Sequence, residues 1–177
     1  MTLTITVHGT PAPQGSKRHV GGGRLIESSA KVKPWREAVK HAALAVTIGI
    51  PWSPEAFTAW TGPLSVDIVF TLAKPASAPK RRVTWPSKKP DLDKLVRSTF
   101  DALTDAGVWR DDSQVVELHA TKCYPGEGVD ALPHPGAVIR VAPLGQGLDR
   151  LTPPLPEWHC PQCGATTRAR MADRDPA

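Results

Sequence analysis

The chain is poor in cysteine and in long apolar runs. Three cysteines among 177 residues are too few for the disulfide framework of a small secreted domain. The opening residues, MTLTITVHGT, lack the basic start and apolar core of a secretory signal. The longest apolar stretch, residues 42–51, is too short to cross a bilayer. We therefore expect a reducing, cytoplasmic setting and no membrane partner.

The positive charge of the chain is concentrated in two segments. The formal net charge is +5. Residues 17–40 carry seven basic side chains against two acidic ones, and residues 74–97 carry eight against two. The rest of the chain is therefore acidic on balance. A single run of this kind is more often an ordinary solvated surface, but two of them indicate a polyanionic partner.

Hydrophobic periodicity predicts an α+β fold. Alternating apolar residues predict strands, and apolar residues at helical spacing predict helices; the strands are residues 2–8, 64–72, 114–124 and 137–141, and the helices are 34–47 and 92–105. The order β-α-β-α-β-β predicts a single domain in which two main helices pack on a small mixed β-sheet. We assign this domain to residues 1–142 and a proline-rich linker and tail to residues 143–177.

Three aspartates around the second helix are the strongest functional signal. Asp91 and Asp93 stand at its start, in KKPDLDKL, and Asp112 follows in GVWRDDSQ. The helix rises about 18 Å, and Gly107 permits a left-handed stop. Residues 108–112 can then return in extended form at about 3.3 Å per residue. We therefore expect the three carboxylates to meet near the start of the helix.

Carboxylates beside a basic run are suited to a divalent metal that faces phosphate. Mg²⁺ prefers oxygen ligands in octahedral geometry and keeps several waters. Two or three carboxylates therefore leave positions for a phosphate oxygen and an attacking water. Arg97 lies one turn after Asp93 and can offset charge that develops on the phosphate. This combination indicates a nuclease.

The same residues also have ordinary structural interpretations. Asp91 can be an N-cap, and Asp93 an anion favoured by the helix dipole. Asp112 can belong to a turn before a strand, and Arg97 can pair with Asp93 in a salt bridge within the helix. Taken singly, the structural interpretation of each aspartate is the commoner one, whereas for Arg97 the salt bridge and the functional role are about equally common. None of them requires the folding back that the element lengths allow.

A segment of about thirty residues carries a family resemblance. It runs DLDKLVRSTFDALTDAGVWRDDSQVVELHATK and is similar to the RusA family of Holliday junction resolvases. That family's pattern is D-x-D near a helix start, F-D-A-L, a glycine and an aromatic residue, D-D, and a downstream lysine. The opening GTPAPQGSKR and the segment KPWREAV also resemble RusA-like proteins of bacteriophages. The matching positions in the RusA-like segment are Asp91, Asp93, Phe100, Asp101, Ala102, Leu103, Gly107, Trp109, Asp111, Asp112 and Lys122.

The resemblance implies a homodimeric, Mg²⁺-dependent endonuclease that makes paired nicks across a four-way DNA junction, in recombination or repair. Mn²⁺ is an expected substitute, and the setting would be a bacterial host or a phage-infected cell. By position, the metal ligands would be Asp91, Asp93 and Asp112. Arg97 stands where the family commonly has a catalytic lysine. Arginine keeps the positive charge but cannot release a proton as a lysine can.

Branched DNA is then the expected polyanion. The residues predicted to contact it are Lys17, Arg18, Arg24, Lys80, Arg81, Arg82, Lys88, Lys89, Lys94 and Lys122. Such phosphate contacts give salt-dependent affinity with little sequence preference. Trp85, within the second basic run, either stacks at the open centre of the junction or packs against its own domain.

Two other interpretations stand beside the junction resolvase. The first is a nuclease that acts on flaps or replication forks, because the sequence does not separate these branched substrates. The second is a non-catalytic protein that retains the fold and binds branched DNA. Arg97 in place of the usual lysine is the feature that favours the second.

The tail contains half of a zinc site. Cys160 and Cys163 form a CxxC in EWHCPQCG, a spacing typical of zinc ligands, but a structural zinc site needs four ligands. A CxxC without metal is the commoner case. Two tails of a dimer would together supply four thiolates, so zinc is an open alternative for this segment.

Overall fold

Two compact units make up the chain, Met1–Leu144 and Gly145–Ala177. The structure, a computed structural model, describes residues 2–15, 17–19, 25–27, 30–48, 59–79, 82–145, 158–159 and 166–167. In chain order the elements are β1 (Leu3–His8), β2 (Lys17–His19), β3 (Leu25–Glu27), α1 (Val32–Ile48), β4 (Leu64–Thr71), α2 (Leu92–Asp105), β5 (Val115–Cys123), β6 (Gly136–Pro143), β7 (Trp158–His159) and β8 (Thr166–Thr167). A 3₁₀ turn, Asp112–Gln114, precedes β5. In the second unit, β7 and β8 pair antiparallel.

Four strands of the first unit form a mixed sheet in the order β1-β6-β4-β5. β6 pairs antiparallel with β1 and with β4, whereas β4 and β5 are parallel neighbours. Leu3, Ile5 and Val7 of β1 are buried and the residues between them are exposed, because alternate side chains of a strand point to opposite faces. The buried strand residues form one core with both helices. The structure therefore confirms the predicted α+β fold.

The helices follow their predicted apolar spacing. α2 begins at Leu92 and ends at Asp105, as expected, and its buried residues are Leu95, Val96, Ser98, Thr99, Phe100, Ala102 and Leu103. α1 begins at Val32, ahead of the predicted Pro34. A proline in the first turn needs no hydrogen-bonded N–H, so a helix can begin before it. Within the described residues, no helix is both long enough and apolar enough to span a membrane.

A small two-stranded sheet lies outside the strands and helices predicted from the sequence. β2 and β3 pair antiparallel, with Lys17 opposite Glu27 and His19 opposite Leu25. Side-chain patterning does not reveal such a pair, because three residues per strand are too few for a periodicity. Neither of these two strands was predicted from the sequence.

The direction of α2 determines where the site residues lie. β4 leads into α2, and α2 leads into β5, which is parallel to β4. α2 therefore runs antiparallel to β5, with its start near the end of that strand. Lys122 Nζ marks this end, because it donates hydrogen bonds of 2.9 Å to the carbonyl oxygens of Lys88 and Pro90.

Candidate active site

Asp91 occupies the N-cap position of α2, but its side chain makes no capping hydrogen bond. Its carboxylate instead pairs with Lys94 Nζ at 3.0 Å, in a pair whose side chains are 44 % and 48 % exposed. The hydrogen bond from Lys94, together with its charge, holds the pKa of Asp91 below the ordinary value, and the same pair raises the pKa of Lys94. Asp91 is therefore ionised at neutral pH and turned towards a cation at the start of the helix.

Asp93, Arg97 and Asp112 line one open cleft of about 460 Å³ along α2 and β5. All three side chains are exposed, and the rest of the lining is apolar, consisting of Leu92, Val96, Phe100, Leu118 and Ala120. Lys94 pairs with Asp91 in the first turn of α2. The alternative salt bridge between Asp93 and Arg97 is not among the ion pairs of the described residues. Two carboxylates and one guanidinium thus face the same space.

The three predicted ligands do not form a metal-holding group within one chain. Across the described residues, no three carboxylate, imidazole or thiolate side chains lie close enough to share an ion. Asp91 and Asp93 lie at the start of α2, whereas Asp112 lies in the turn that follows its end. Asp93 and Asp112 nevertheless line one cleft, and the N–H of Trp60 holds the chain between α2 and Asp112 by donating to the carbonyl oxygen of Val108 at 3.2 Å. The assignment of these aspartates as metal ligands stays a prediction.

The donor chemistry at both ends of the cleft nevertheless fits a divalent cation. Asp93 and Asp112 offer oxygen atoms, the hard ligands that Mg²⁺ prefers, and their exposure leaves positions for water and phosphate. Asp91 already holds a cation, the Lys94 ammonium. Because that pair is exposed to water it is weak, and a divalent ion can replace the ammonium at this carboxylate.

A capping interaction holds the turn that carries Asp112. Asp111 is the N-cap of the 3₁₀ turn, and its Oδ1 accepts a hydrogen bond from the backbone N–H of Ser113 at 2.9 Å. This hydrogen bond lowers the pKa of Asp111. The carboxylate of Asp111 is thereby turned to its own backbone, whereas Asp112 lines the cleft. The two neighbouring aspartates have different surroundings and are suited to different roles.

Gln114 completes this turn and is the residue that the sequence reasoning missed. Its Oε1 accepts hydrogen bonds from the backbone N–H groups of Arg110 and Asp111, at 2.9 and 3.1 Å. Its Nε2 donates to the carbonyl oxygens of Trp60 and Gly62, at 2.8 and 3.1 Å. The signal was present, because an aspartate followed three residues later by glutamine is a capping-box spacing.

Other residues of the RusA-like segment build the support of the cleft. Phe100 packs edge to face on Trp109, with ring centroids 5.2 Å apart. Trp109 Nε1 donates to Thr104 Oγ1 at 2.7 Å, which fastens the chain beyond the helix to its last turn. Gly107 has a φ of 72°, the left-handed stop that the sequence predicts. The segment therefore combines the candidate site residues with the packing that positions them.

The predicted DNA contacts have different surroundings. Three of them are exposed in the loop before α2: Arg82, Lys88 and Lys89. Lys94 is paired with Asp91, and the ammonium of Lys122 is bound to backbone carbonyls. Trp85 is 72 % exposed, so most of its ring is available to a ligand. The remaining candidate residues lie outside the part of the chain whose side chains are described: Lys17, Arg18, Arg24, Lys80, Arg81, Cys160 and Cys163.

Comparison with known proteins places this arrangement in a family. The family model of the endodeoxyribonuclease RusA matches residues 8–130. The chain is 30% identical over 136 residues, 71% of its own length and 89% of the relative's, to the uncharacterized protein YqaN of Bacillus subtilis (strain 168). It is 51% identical over 35 residues, 20% of its length, to the crossover junction endodeoxyribonucleases RusA of Enterobacteria phage 82 and Escherichia coli (strain K12), and covers 29% of each. The chain belongs to the RusA family of endodeoxyribonucleases.

Proposed function

We propose that this protein is a Mg²⁺-dependent endonuclease that resolves four-way DNA junctions by paired nicks, in recombination or repair. Its family gives the class of bond that is cut. Two relatives named as crossover junction endodeoxyribonucleases suggest branched DNA as the substrate. The observation that carries the proposal is the cleft in which Asp93, Asp112 and Arg97 face one space, directly after a basic loop.

Asp91 and the charged side chains of the cleft each have a role in this reaction. Asp91, Asp93 and Asp112 would hold the divalent ion through oxygen atoms. When bound, the ion supplies Lewis-acid stabilisation of charge and lowers the pKa of a water. Arg97 holds the scissile phosphate through its guanidinium and stabilises the charge that develops on it. Because a guanidinium does not release its proton, Arg97 does not act as the general acid.

The protein acts as a homodimer with two-fold symmetry. A four-way junction has near two-fold symmetry and needs two symmetric cuts, which a C₂ dimer matches. The dimer also provides the missing ligand, because no three carboxylates of one chain form a metal-holding group among the described residues. Within one chain Asp93 and Asp112 share the cleft, but Asp93 lies at the start of α2 and Asp112 beyond its end. An ion held by Asp91 and Asp93 of one protomer would therefore take its third carboxylate from Asp112 of the second protomer.

Incubation with labelled DNA tests the proposed function. A four-way junction, a flap, a fork and a linear duplex of matched sequence are each incubated with the purified protein, in Mg²⁺ and in EDTA. We expect metal-dependent, symmetry-related nicks in the junction alone. Cutting of flaps or forks in preference to the junction would mean that these branched DNAs, and not four-way junctions, are the substrate. Tight junction binding without cutting, in Mg²⁺ and in Mn²⁺, would support the non-catalytic alternative.

A further inference from the structure

One acidic residue fastens the loop between β4 and α2 to the connection between β5 and β6. Glu127 accepts a hydrogen bond from Lys74 Nζ, and its Oε2 accepts another from the backbone N–H of Thr84 at 3.1 Å. Lys74 also donates to the carbonyl oxygen of Arg82 at 3.4 Å. The side chains of Glu127 and Lys74 are only 14 % and 20 % exposed. Water therefore competes less with this contact, which we call the Glu127 clamp, than with an ordinary surface ion pair.

The same loop is held at its other end by a different side chain. Lys122 donates two hydrogen bonds, to the carbonyl oxygens of Lys88 and Pro90. The segment between the two attachments, residues 82–89, is the basic arm. Both attachments come from β5 and the connection that follows it, so the arm is fastened to the sheet before any ligand is present.

The basic arm presents the groups that bind nucleic acid. Arg82, Lys88 and Lys89 are exposed, and Trp85 is 72 % exposed between them. Cationic side chains bind phosphates, and an exposed aromatic ring stacks on bases. The arm leads through Pro90 directly into Asp91 and α2. DNA bound on the arm would therefore lie beside the start of the cleft.

We propose that Glu127 is a positioning residue for DNA binding, because its negative charge holds the basic arm in the shape that contacts the DNA. The inference rests on the proposed function, in which the arm contacts branched DNA. A loop that must be ordered on binding loses conformational entropy at that step, and the clamp orders the arm beforehand. Removal of an acidic side chain from a DNA-binding surface ordinarily strengthens binding, because repulsion of phosphate is lost. At Glu127 the expected sign is reversed.

Junction binding by two matched variants tests this role. Glu127→Ala removes the clamp, and Glu117→Ala removes the same charge from an exposed position on β5. In EDTA, which prevents cutting, we expect Glu127→Ala to bind a four-way junction roughly tenfold more weakly than the wild type. Glu127→Gln keeps an acceptor for the Thr84 N–H, so its junction affinity should lie between those of Glu127→Ala and the wild type. If Glu127→Ala does not fold, the affinity of Glu127→Gln is the test. Glu117→Ala should bind equally well or more tightly; equal affinity of the Glu127 and Glu117 variants overturns the inference.

Limited proteolysis checks the clamp without DNA. Trypsin should cleave after Arg82 or Lys88 faster in Glu127→Ala than in Glu117→Ala or the wild type, because the arm is released. If the wild-type protein binds the junction without cutting it, the nuclease proposal is wrong, but the proposed role of Glu127 is unaffected. Unchanged binding together with unchanged cleavage by trypsin in Glu127→Ala overturns the clamp and leaves the nuclease standing.

Discussion

Arg97 shares the cleft with Asp93 and Asp112, and in the proposed reaction it supplies the positive charge that faces the phosphate. A guanidinium binds phosphate through two parallel hydrogen bonds, whereas a lysine ammonium acts as a compact point charge. The surroundings of Arg97 do not demand the larger group, because its side chain is exposed. Charge alone is therefore the property that the proposed reaction requires at this position.

Substitution of Arg97 separates charge from geometry. Arg97→Lys should keep or raise the rate of junction cutting, since the charge remains. Arg97→Met should lower the rate about 100-fold, the usual effect of removing a group that stabilises transition-state charge. Single-turnover cutting rates measure both. Loss of cutting in Arg97→Lys would mean that the guanidinium geometry is required, and wild-type cutting in Arg97→Met would remove the residue from the mechanism.

The segment from α2 to β5 shows which structural features local sequence patterns predict and which they do not. The limits of α2 and the left-handed Gly107 follow from spacing and conformation within a few residues, and both were predicted correctly. The sharing of one ion by three aspartates stays a prediction, because their relative placement depends on which strand β5 pairs with. β5 joins β4 in parallel, a pairing across about fifty residues that no local pattern determines. The two charged residues of the Glu127 clamp, Lys74 and Glu127, are likewise 53 residues apart in the sequence.

Gly107 provides a test of the turn between these elements. A side chain there would meet open space, so the effect of substitution is conformational and not steric. Gly107→Ala should lower the free energy of unfolding by about 1–2 kcal/mol, because φ is 72°. Gly107→Asn should cost less, because asparagine tolerates this conformation. Denaturant unfolding measures both, and an alanine variant as stable as the wild type would contradict the assigned backbone conformation.

Substitution of Lys122 tests whether this predicted DNA contact instead positions the backbone before Asp91. Its two hydrogen bonds hold the backbone immediately before Asp91. Lys122→Met should therefore lower the cutting rate and, because it releases one end of the basic arm, weaken junction binding, while the salt dependence of binding stays near that of the wild type. Lys122→Arg, which keeps donors, should recover part of the rate. A weaker affinity with a shallower salt dependence would instead identify a phosphate contact.

The molecule as a whole is expected to work as a pair of protomers, and mixing of variants tests this. If each metal site takes Asp93 from one protomer and Asp112 from the other, a dimer of Asp93→Asn with Asp112→Asn contains one intact site. Each variant alone should then be inactive, and the mixture should nick one strand of the junction. A mixture that stays inactive, although exchange of protomers is shown, would place the ligands within one chain.

The most direct measurement compares Asp112→Asn with its neighbour Asp111→Asn on a labelled four-way junction in Mg²⁺. Both substitutions remove one negative charge, and asparagine can still cap the turn at position 111. We predict that Asp112→Asn binds the junction like the wild type but does not cut it, whereas Asp111→Asn does both. Cutting retained by Asp112→Asn, or lost equally in both variants, would contradict the assignment of Asp112 to the active site.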